Sequence, residues 1–286
     1  MSSLPDPSPR PPSSTLIRIE GRDALALIHR ISTQSLLDLE PGRCRMTLFC
    51  DFRGRLLHRA AVAMTADAAV WLARPDAAGE ELVAYLDHHI FREDARVSDH
   101  SGEFRVGSVA GDDDRATGVA SEKDGVPVRF DVEPGFAFVM SRATDSETTP
   151  VESEVSRILA GRPRHGHELR EDFNPFEVGL ARDVHLNKGC FAGQEALMRM
   201  ITYRGVRRRL ALVRGAGEPP PVPRPVTADP LPAGILTSAA SESNGWVGLT
   251  VLRHDAIDTA SPLEIEAWGA IEPARSFPEA QPLGLP

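Results

Sequence analysis

The stretch of this sequence richest in chemistry is Asn187-Lys188-Gly189-Cys190-Phe191-Ala192-Gly193-Gln194-Glu195. Two glycines flank an aromatic side chain and a thiol, and the residues that follow predict a helix through Ala196–Thr202. Glycines let backbone come close to a ligand, and the free amides that open a helix favour an anion. Lys188 and that helix start both favour the thiolate of Cys190, making it a stronger nucleophile than an ordinary thiol. The same residues allow a plainer reading: Cys190 packed as a small apolar group, with Gln194 and Glu195 only complementing the helix dipole.

A basic island continues from this loop. From Lys188 to Arg214 there are seven basic residues (Lys188, Arg199, Arg204, Arg207, Arg208, Arg209 and Arg214) and one acid, Glu195. The segment is +6 in a chain of net charge −9, so the remainder is −15. Such an island is a local anion site rather than a whole-surface field, the alternative being a solvated strand face paired with acids elsewhere. In an extended strand Arg207 and Arg209 share one face and Arg208 takes the other. A guanidinium there can grip a carboxylate with two parallel hydrogen bonds. The overall −9 argues against a chain that coats nucleic acid, and it disfavours direct tRNA binding.

The remaining candidates are weaker. Three cysteines (Cys44, Cys50 and Cys190) cannot build a disulfide framework and lack paired zinc-ligand spacing, which suits a reducing cytoplasm. Cys44 and Cys50 fit no standard cluster ligand set, so no permanently bound metal or cluster is expected. His165 and His167 have no third ligand and read as surface-loop residues, and His88-His89 as a helix end. Asp112-Asp113-Asp114 reads as a solvated turn, and Trp246 and Trp268 as core of short strands.

A length of 286 residues allows two average domains, or one large core with a satellite. No apolar run approaches the ~18–20 residues of a membrane-spanning helix, so a membrane protein is not expected. Met1–Ser14, with five prolines, reads as a disordered tail rather than a targeting peptide. Leu16–Ile19 predicts a strand and Asp23 the N-cap of a helix carrying Leu25, Leu27 and Ile28. Arg45–Cys50 and Arg55–Met64 predict a hairpin turning at Asp51-Phe52-Arg53-Gly54. Further strands are expected at Val70–Ala73, Phe104–Val109, Val126–Val132 and Phe136–Met140, and helices at Pro75–His88 and Val151–Leu159. Mixed elements without regular β-α-β spacing indicate an α+β chain. Gly215–Pro232 holds seven prolines and reads as a linker. Beyond it, Gly234–Ser238, Trp246–Leu252 and Leu263–Trp268 predict a small β-barrel.

Lys188-Gly189-Cys190-Phe191-Ala192-Gly193-Gln194-Glu195 closely resembles the K-G-C-[YF]-x-G-Q-E signature of the YgfZ-type folate-binding proteins, relatives of the glycine-cleavage T-protein (aminomethyltransferase). The resemblance runs from about Leu16 to about Trp268. Cys50-Asp51-Phe52-Arg53-Gly54-Arg55 resembles the family's C-D-x-x-G-[RK] turn, and Arg157–Pro163 its R-[IL]-x-A-G-x-P helix end. Asn174-Pro175-Phe176-Glu177 is similar to its P-x-E element, Gly205–Leu210 to its basic strand, and Gly234–Ser238 to its G-x-[IVL]-T-S strand.

The resemblance implies a T-protein-like ring of three subdomains: two interleaved α/β subdomains that bind folate in residues 15–214, and a small C-terminal β-barrel in 233–275. The linker 215–232 would join them, and 276–286 would form a tail. It implies tetrahydrofolate as ligand, iron–sulfur client enzymes or assembly proteins as partners, including tRNA-thiolating enzymes, and Cys190 as a functional thiol. Lys188, Gly189, Phe191, Gly193, Gln194, Glu195, Glu177, Arg207 and Arg209 would contact the folate, with Glu177 equally suited to a structural salt bridge. Where the T-protein has paired aspartates, one its principal catalytic acid, this chain reads His58-Arg59. Leu159 likewise replaces a family glutamate. A conventional aminomethyltransferase is therefore not expected, and a folate-dependent one-carbon transferase or demethylase with a different acid is the enzyme alternative.

Overall fold

The computed structural model describes residues 13–110, 116–146, 149–228, 231–258, 262–277 and 280–285. The tail expected over Met1–Pro12 and the turn at Asp112-Asp113-Asp114 lie outside the described residues; Ser14 already belongs to the fold, its hydroxyl accepting from the Val106 amide.

The first unit is a five-stranded antiparallel sheet of order β2-β3-β4-β1-β5. Its strands are β1 (Thr15–Glu20), β2 (Cys44–Cys50), β3 (Leu56–Met64), β4 (Val70–Arg74) and β5 (Arg96–Asp99). Side chains alternate between faces along each strand. Ile17 and Ile19 thus pack under helices α1 (Ala24–Ile31) and α2 (Glu80–His88), with Leu27, Ile28, Leu82 and Leu86. Leu16, Met46, Ala61 and Trp71 instead meet a second sheet through Phe104, Phe130 and Phe138. This second sheet, of order β6-β9-β8-β7, contains β6 (Phe104–Ala110), β7 (Val119–Lys123), β8 (Val126–Glu133) and β9 (Phe136–Arg142). Being covered on both faces explains why β2 and β3 are nearly continuous apolar runs. The sequence gives little sign of β5 and β7, because these short polar strands lie at sheet edges.

Local expectations needed adjustment at several points. Asp23 does not cap α1; its carboxylate instead accepts from the Asp94 amide at 2.9 Å. Gly21, at φ 118°, brings the chain so close that a Cβ would lie 2.1 Å from the Asp94 carbonyl oxygen. Helix α2 starts five residues later than expected because Ala77 and Ala78 turn back, their carbonyls accepting from Thr15 and Arg74. Helix α3 (Glu154–Ala160) has a Ser153 N-cap and ends at left-handed Gly161.

The third unit is a closed barrel of order β10-β13-β12-β11-β14-β15. It comprises β10 (Arg208–Gly215), β11 (Arg224–Ala228), β12 (Leu231–Glu242), β13 (Gly245–Arg253), β14 (Leu263–Ile265) and β15 (Gly269–Ser276), with the short helix α5 (His254–Asp258) after β13. This corrects the expected boundaries: 208–214 belongs to the barrel rather than to the front domain, and 215–232 is not a linker, since β11 lies within it. Pro225 is tolerated because β11 pairs with β14 only at Thr227 and Ala228, leaving its outer side free at the proline. Trp246 is core, whereas Trp268 lies in the turn before β15 under the Arg224 guanidinium. Within the expected C-terminal tail, Leu283 pairs with the front part, its amide donating to the Val184 carbonyl and its carbonyl accepting from the Leu186 amide.

The barrel is locked to the front part by one buried polar node. Glu168, fully buried, accepts from Arg157 at 3.1 Å, from Ser238 at 2.7 Å and from Thr237. Arg157 in turn donates to Ser238 at 2.6 Å. The adjacent histidines are half-buried rather than surface residues. His167 bonds the Thr237 carbonyl, and His165 bonds Asp76 at 2.8 Å, because charged partners in neighbouring elements enclose the loop. Glu168→Ala leaves Arg157 with Glu154 as its remaining carboxylate, takes the acceptor from Thr237 and Ser238, and should cost about 2–3 kcal/mol. Thr237→Val should cost about 1–2 kcal/mol. Denaturant unfolding of the two variants checks both values and their order.

Candidate functional site

A cavity of about 1220 Å³ opens where all three units meet. The first sheet contributes Met46 and Arg59, the second Glu133, and the barrel Leu210; Asp183 comes from the segment after Gly179. Residues 160–163 after α3 and the C-terminal Ala280 and Leu283 complete the wall.

Its centre of charge is Arg59, in the middle of β3. The guanidinium donates through Nε to Asp183 Oδ2 at 2.8 Å and through Nη2 to Glu133 Oε1 at 2.9 Å. Burial alone would lower the Arg59 pKa, but the two carboxylates outweigh it and hold the group charged. Burial pushes the Asp183 carboxyl up against the pull of Arg59. Glu133 is drawn below its ordinary value despite burial, by Arg59 and by Arg162, whose Nε lies 3.6 Å away. Nearer the mouth, Arg45 grips Asp38 with hydrogen bonds of 2.6 and 2.8 Å, drawing that carboxyl to about 2. Arg43 and Arg182 also line the cavity, are exposed, and make no ion pair among the described residues.

The Lys188–Glu195 loop lies elsewhere: none of its residues lines this cavity. Lys188 donates to the His29 carbonyl and sits 5.2 Å over the Phe191 ring, and burial lowers its pKa to about 8. Gln194 donates to the Leu186 carbonyl at 2.8 Å, and Glu195 pairs with exposed Arg199 on α4 (Gln194–Arg199). That helix starts two residues earlier than expected and passes into a π-helical turn over Met200–Arg204. Gly193, at φ 82°, rests on the β2–β3 turn, where a Cβ would lie 2.5 Å from the Asp51 carbonyl oxygen. Gly189 and Cys190 are exposed. The loop is thus fastened to α1 by Lys188, to the hairpin by Gly193 and to the preceding segment by Gln194, with Cys190 exposed.

Glu177 is engaged by Arg208 at 2.8 and 3.0 Å, the structural of its two expected roles. Arg209 contacts His254 and lines a hollow of about 80 Å³ that shares Leu210 and Phe277 with the main cavity, and Arg207 is exposed. Arg43, Glu133, Arg182 and Asp183 carry no signal in the sequence, and Arg59 and Arg162 stand out there only as parts of motifs, with no cavity role. For Arg59 a signal existed, a guanidinium inside the apolar run Leu56–Met64 that only buried carboxylates could accommodate.

Two outcomes follow for the loop. Cys44 and Cys50 are buried, burial pushing the Cys44 thiol up to about 12 and that of Cys50 higher still. Brief treatment of the folded protein with iodoacetamide should therefore label Cys190 alone, and all three thiols after unfolding, as read by mass spectrometry. Lys188 is one of only two lysines, so reductive ¹³C-methylation gives an interpretable NMR spectrum. The lysine signal that disappears in Lys188→Arg, and so is not the α-amino signal, should titrate near pH 8 rather than near the ordinary 10.5. Because the folded state disfavours this ammonium, Lys188 lowers stability below pH 8, and that loss is recovered as pH rises from 8 to 10.5.

Comparison with known proteins agrees with this architecture. Residues 13–120 match the GCVT N-terminal domain, and residues 207–275 match the CAF17 C-terminal beta-barrel domain. A chloroplast protein of Arabidopsis thaliana described as a transferase is 39% identical over 92 residues, 32% of this chain and 21% of that protein. An aminomethyltransferase of Moorella thermoacetica is 34% identical over 125 residues, 43% of this chain and 34% of that protein. The chain thus matches only about a fifth to a third of the length of these relatives. The crystal structure of glycine cleavage system aminomethyltransferase T from Bartonella henselae superposes with a TM-score of 0.76 at 16% identity, covering 96% of this chain and 86% of that one. The chain therefore has a T-protein-like fold, with one region similar to the GCVT N-terminal domain and another similar to the CAF17 C-terminal beta-barrel domain.

Proposed function

We propose that this chain binds tetrahydrofolate in the central cavity and acts in a reducing cytoplasm as an accessory protein for iron–sulfur cluster assembly or repair, serving enzymes that include tRNA-thiolating ones. The observation that carries the reading is the cavity itself. At about 1220 Å³ it has room for a ligand of folate size, since pockets for drug-sized ligands measure about 300–1,000 Å³. Its donor set fits as well: Arg43 and Arg182 offer guanidinium groups to glutamate carboxylates, while Arg59 with Asp183 offers both hydrogen-bonding senses to a polar ring. Tetrahydrofolate supplies nitrogen atoms that can take up a one-carbon unit. Arg59, at the place where the T-protein resemblance implies an acid, favours the accessory reading over a conventional aminomethyltransferase. The exposed Cys190, outside the cavity, is placed to meet a partner protein.

Calorimetric titration with tetrahydrofolate tests the reading directly, and absence of binding would refute it. Arg43→Ala and Arg182→Ala should each weaken a polyglutamylated folate by about two- to fivefold, as expected of exposed charge pairs, and leave a bare pterin unaffected. In a deletion strain the unaltered chain should restore iron–sulfur enzyme activities. Cys190→Ser, at unchanged melting temperature, should not.

A further inference from the structure

We infer that Asp183, held against Arg59, recognises the hydrogen-bond donors on the edge of the ligand's ring, so that in this cavity it acts as the selector for a ring bearing an amino group beside a ring N–H. The inference rests on the folate reading and assigns the ring end of that ligand.

Three features single out Asp183 among the acids of the wall. Only one of its carboxylate oxygens is used: Oδ2 takes the Arg59 Nε–H, and Oδ1 has no hydrogen-bond partner among the described residues while not being sealed from the cavity. The other wall acids are committed or solvated. Arg45 takes both oxygens of Asp38, Arg59 and Arg162 flank Glu133, and Glu40 is exposed. Finally, the Asp183 side chain is only 11% exposed, so a donor that reaches Oδ1 competes with little water. A carboxylate offers acceptors only, and a shielded one is satisfied best by N–H groups.

The position is also fixed in advance. Thr33 Oγ1 donates to the Asp183 carbonyl at 2.7 Å, Gln34 Nε2 to the Arg182 carbonyl at 3.2 Å, and the His185 amide to the Thr33 carbonyl at 2.9 Å. Arg59 comes from β3, 124 residues away in sequence, and orients the carboxylate from the other side. Arg59 Nη1, the guanidinium nitrogen that neither carboxylate takes, leaves a donor in the same cluster for a ring carbonyl.

The test compares three probes by calorimetry: tetrahydrofolate, its analogue lacking the exocyclic ring amino group, and p-aminobenzoylglutamate, which has no pterin. The unaltered chain should prefer tetrahydrofolate to the analogue by about ten- to hundredfold, the effect of one charge-assisted hydrogen bond. In Asp183→Asn that preference should shrink to within about threefold, while affinity for p-aminobenzoylglutamate stays the same. Equal preference in the two proteins overturns the assignment, as does a parallel loss for all three probes, which marks Asp183 as a support of the wall. If Asp183→Asn does not fold, the unaltered chain decides: a preference below about threefold overturns the assignment. Failure of the unaltered chain to bind any of the probes removes the folate reading and this assignment together, an outcome distinct from binding without discrimination.

Discussion

A guanidinium taken out of water costs several kcal/mol unless carboxylates meet it with good geometry. Arg59 imposes that constraint at the centre of this molecule. It sits on an interior strand of the first sheet, and neither that sheet nor its helices supply the acids it needs. One comes from the last residue of β8 in the second sheet, the other from the segment at Asp183. Satisfying one buried charge therefore fixes the relative placement of three chain segments. It also leaves a polar floor in a cavity whose other borders are the barrel and the C-terminal residues.

The barrel is held by a second buried charge solved in the same manner. Glu168 gathers Arg157 from α3 and the two hydroxyls of Thr237 and Ser238 from β12, so the helix end and the barrel strand share one set of hydrogen bonds. The arginine opening the helix-end motif and the Thr-Ser pair closing the strand motif thus have a common physical cause. They are the two sides of one interdomain node.

The Lys188–Glu195 loop shows how a sequence signature can mix supports with a chemical group. Gly193 is required because the hairpin backbone passes too close for any Cβ, and Lys188 spends its charge on the His29 carbonyl and the Phe191 ring. Cys190 faces solvent, as do Gly189, Ala192 and Glu195. The fold therefore separates the thiol from the large cavity.

The α+β class, the hairpin turning at Gly54 and the C-terminal barrel were readable from the sequence because their signals are local, apolar alternation and glycine where φ is positive, while the helix end at Arg157–Pro163 was legible through its motif. The eight-residue signature was also legible, but that its Cys190 is exposed rather than packed is decided by the fold. Prolines misled at β11, since local propensity does not reveal which side of a strand lacks a neighbour. The same limit hid the cavity acids. Glu133 and Asp183 look like ordinary surface carboxylates until the fold brings Arg59 between them from 74 and 124 positions away. Nor could the sequence say that Glu177 would be occupied by Arg208 while Arg43 and Arg182 stayed free on the wall. Ion-pair partners are set by through-space distance, and only the tertiary structure decides it.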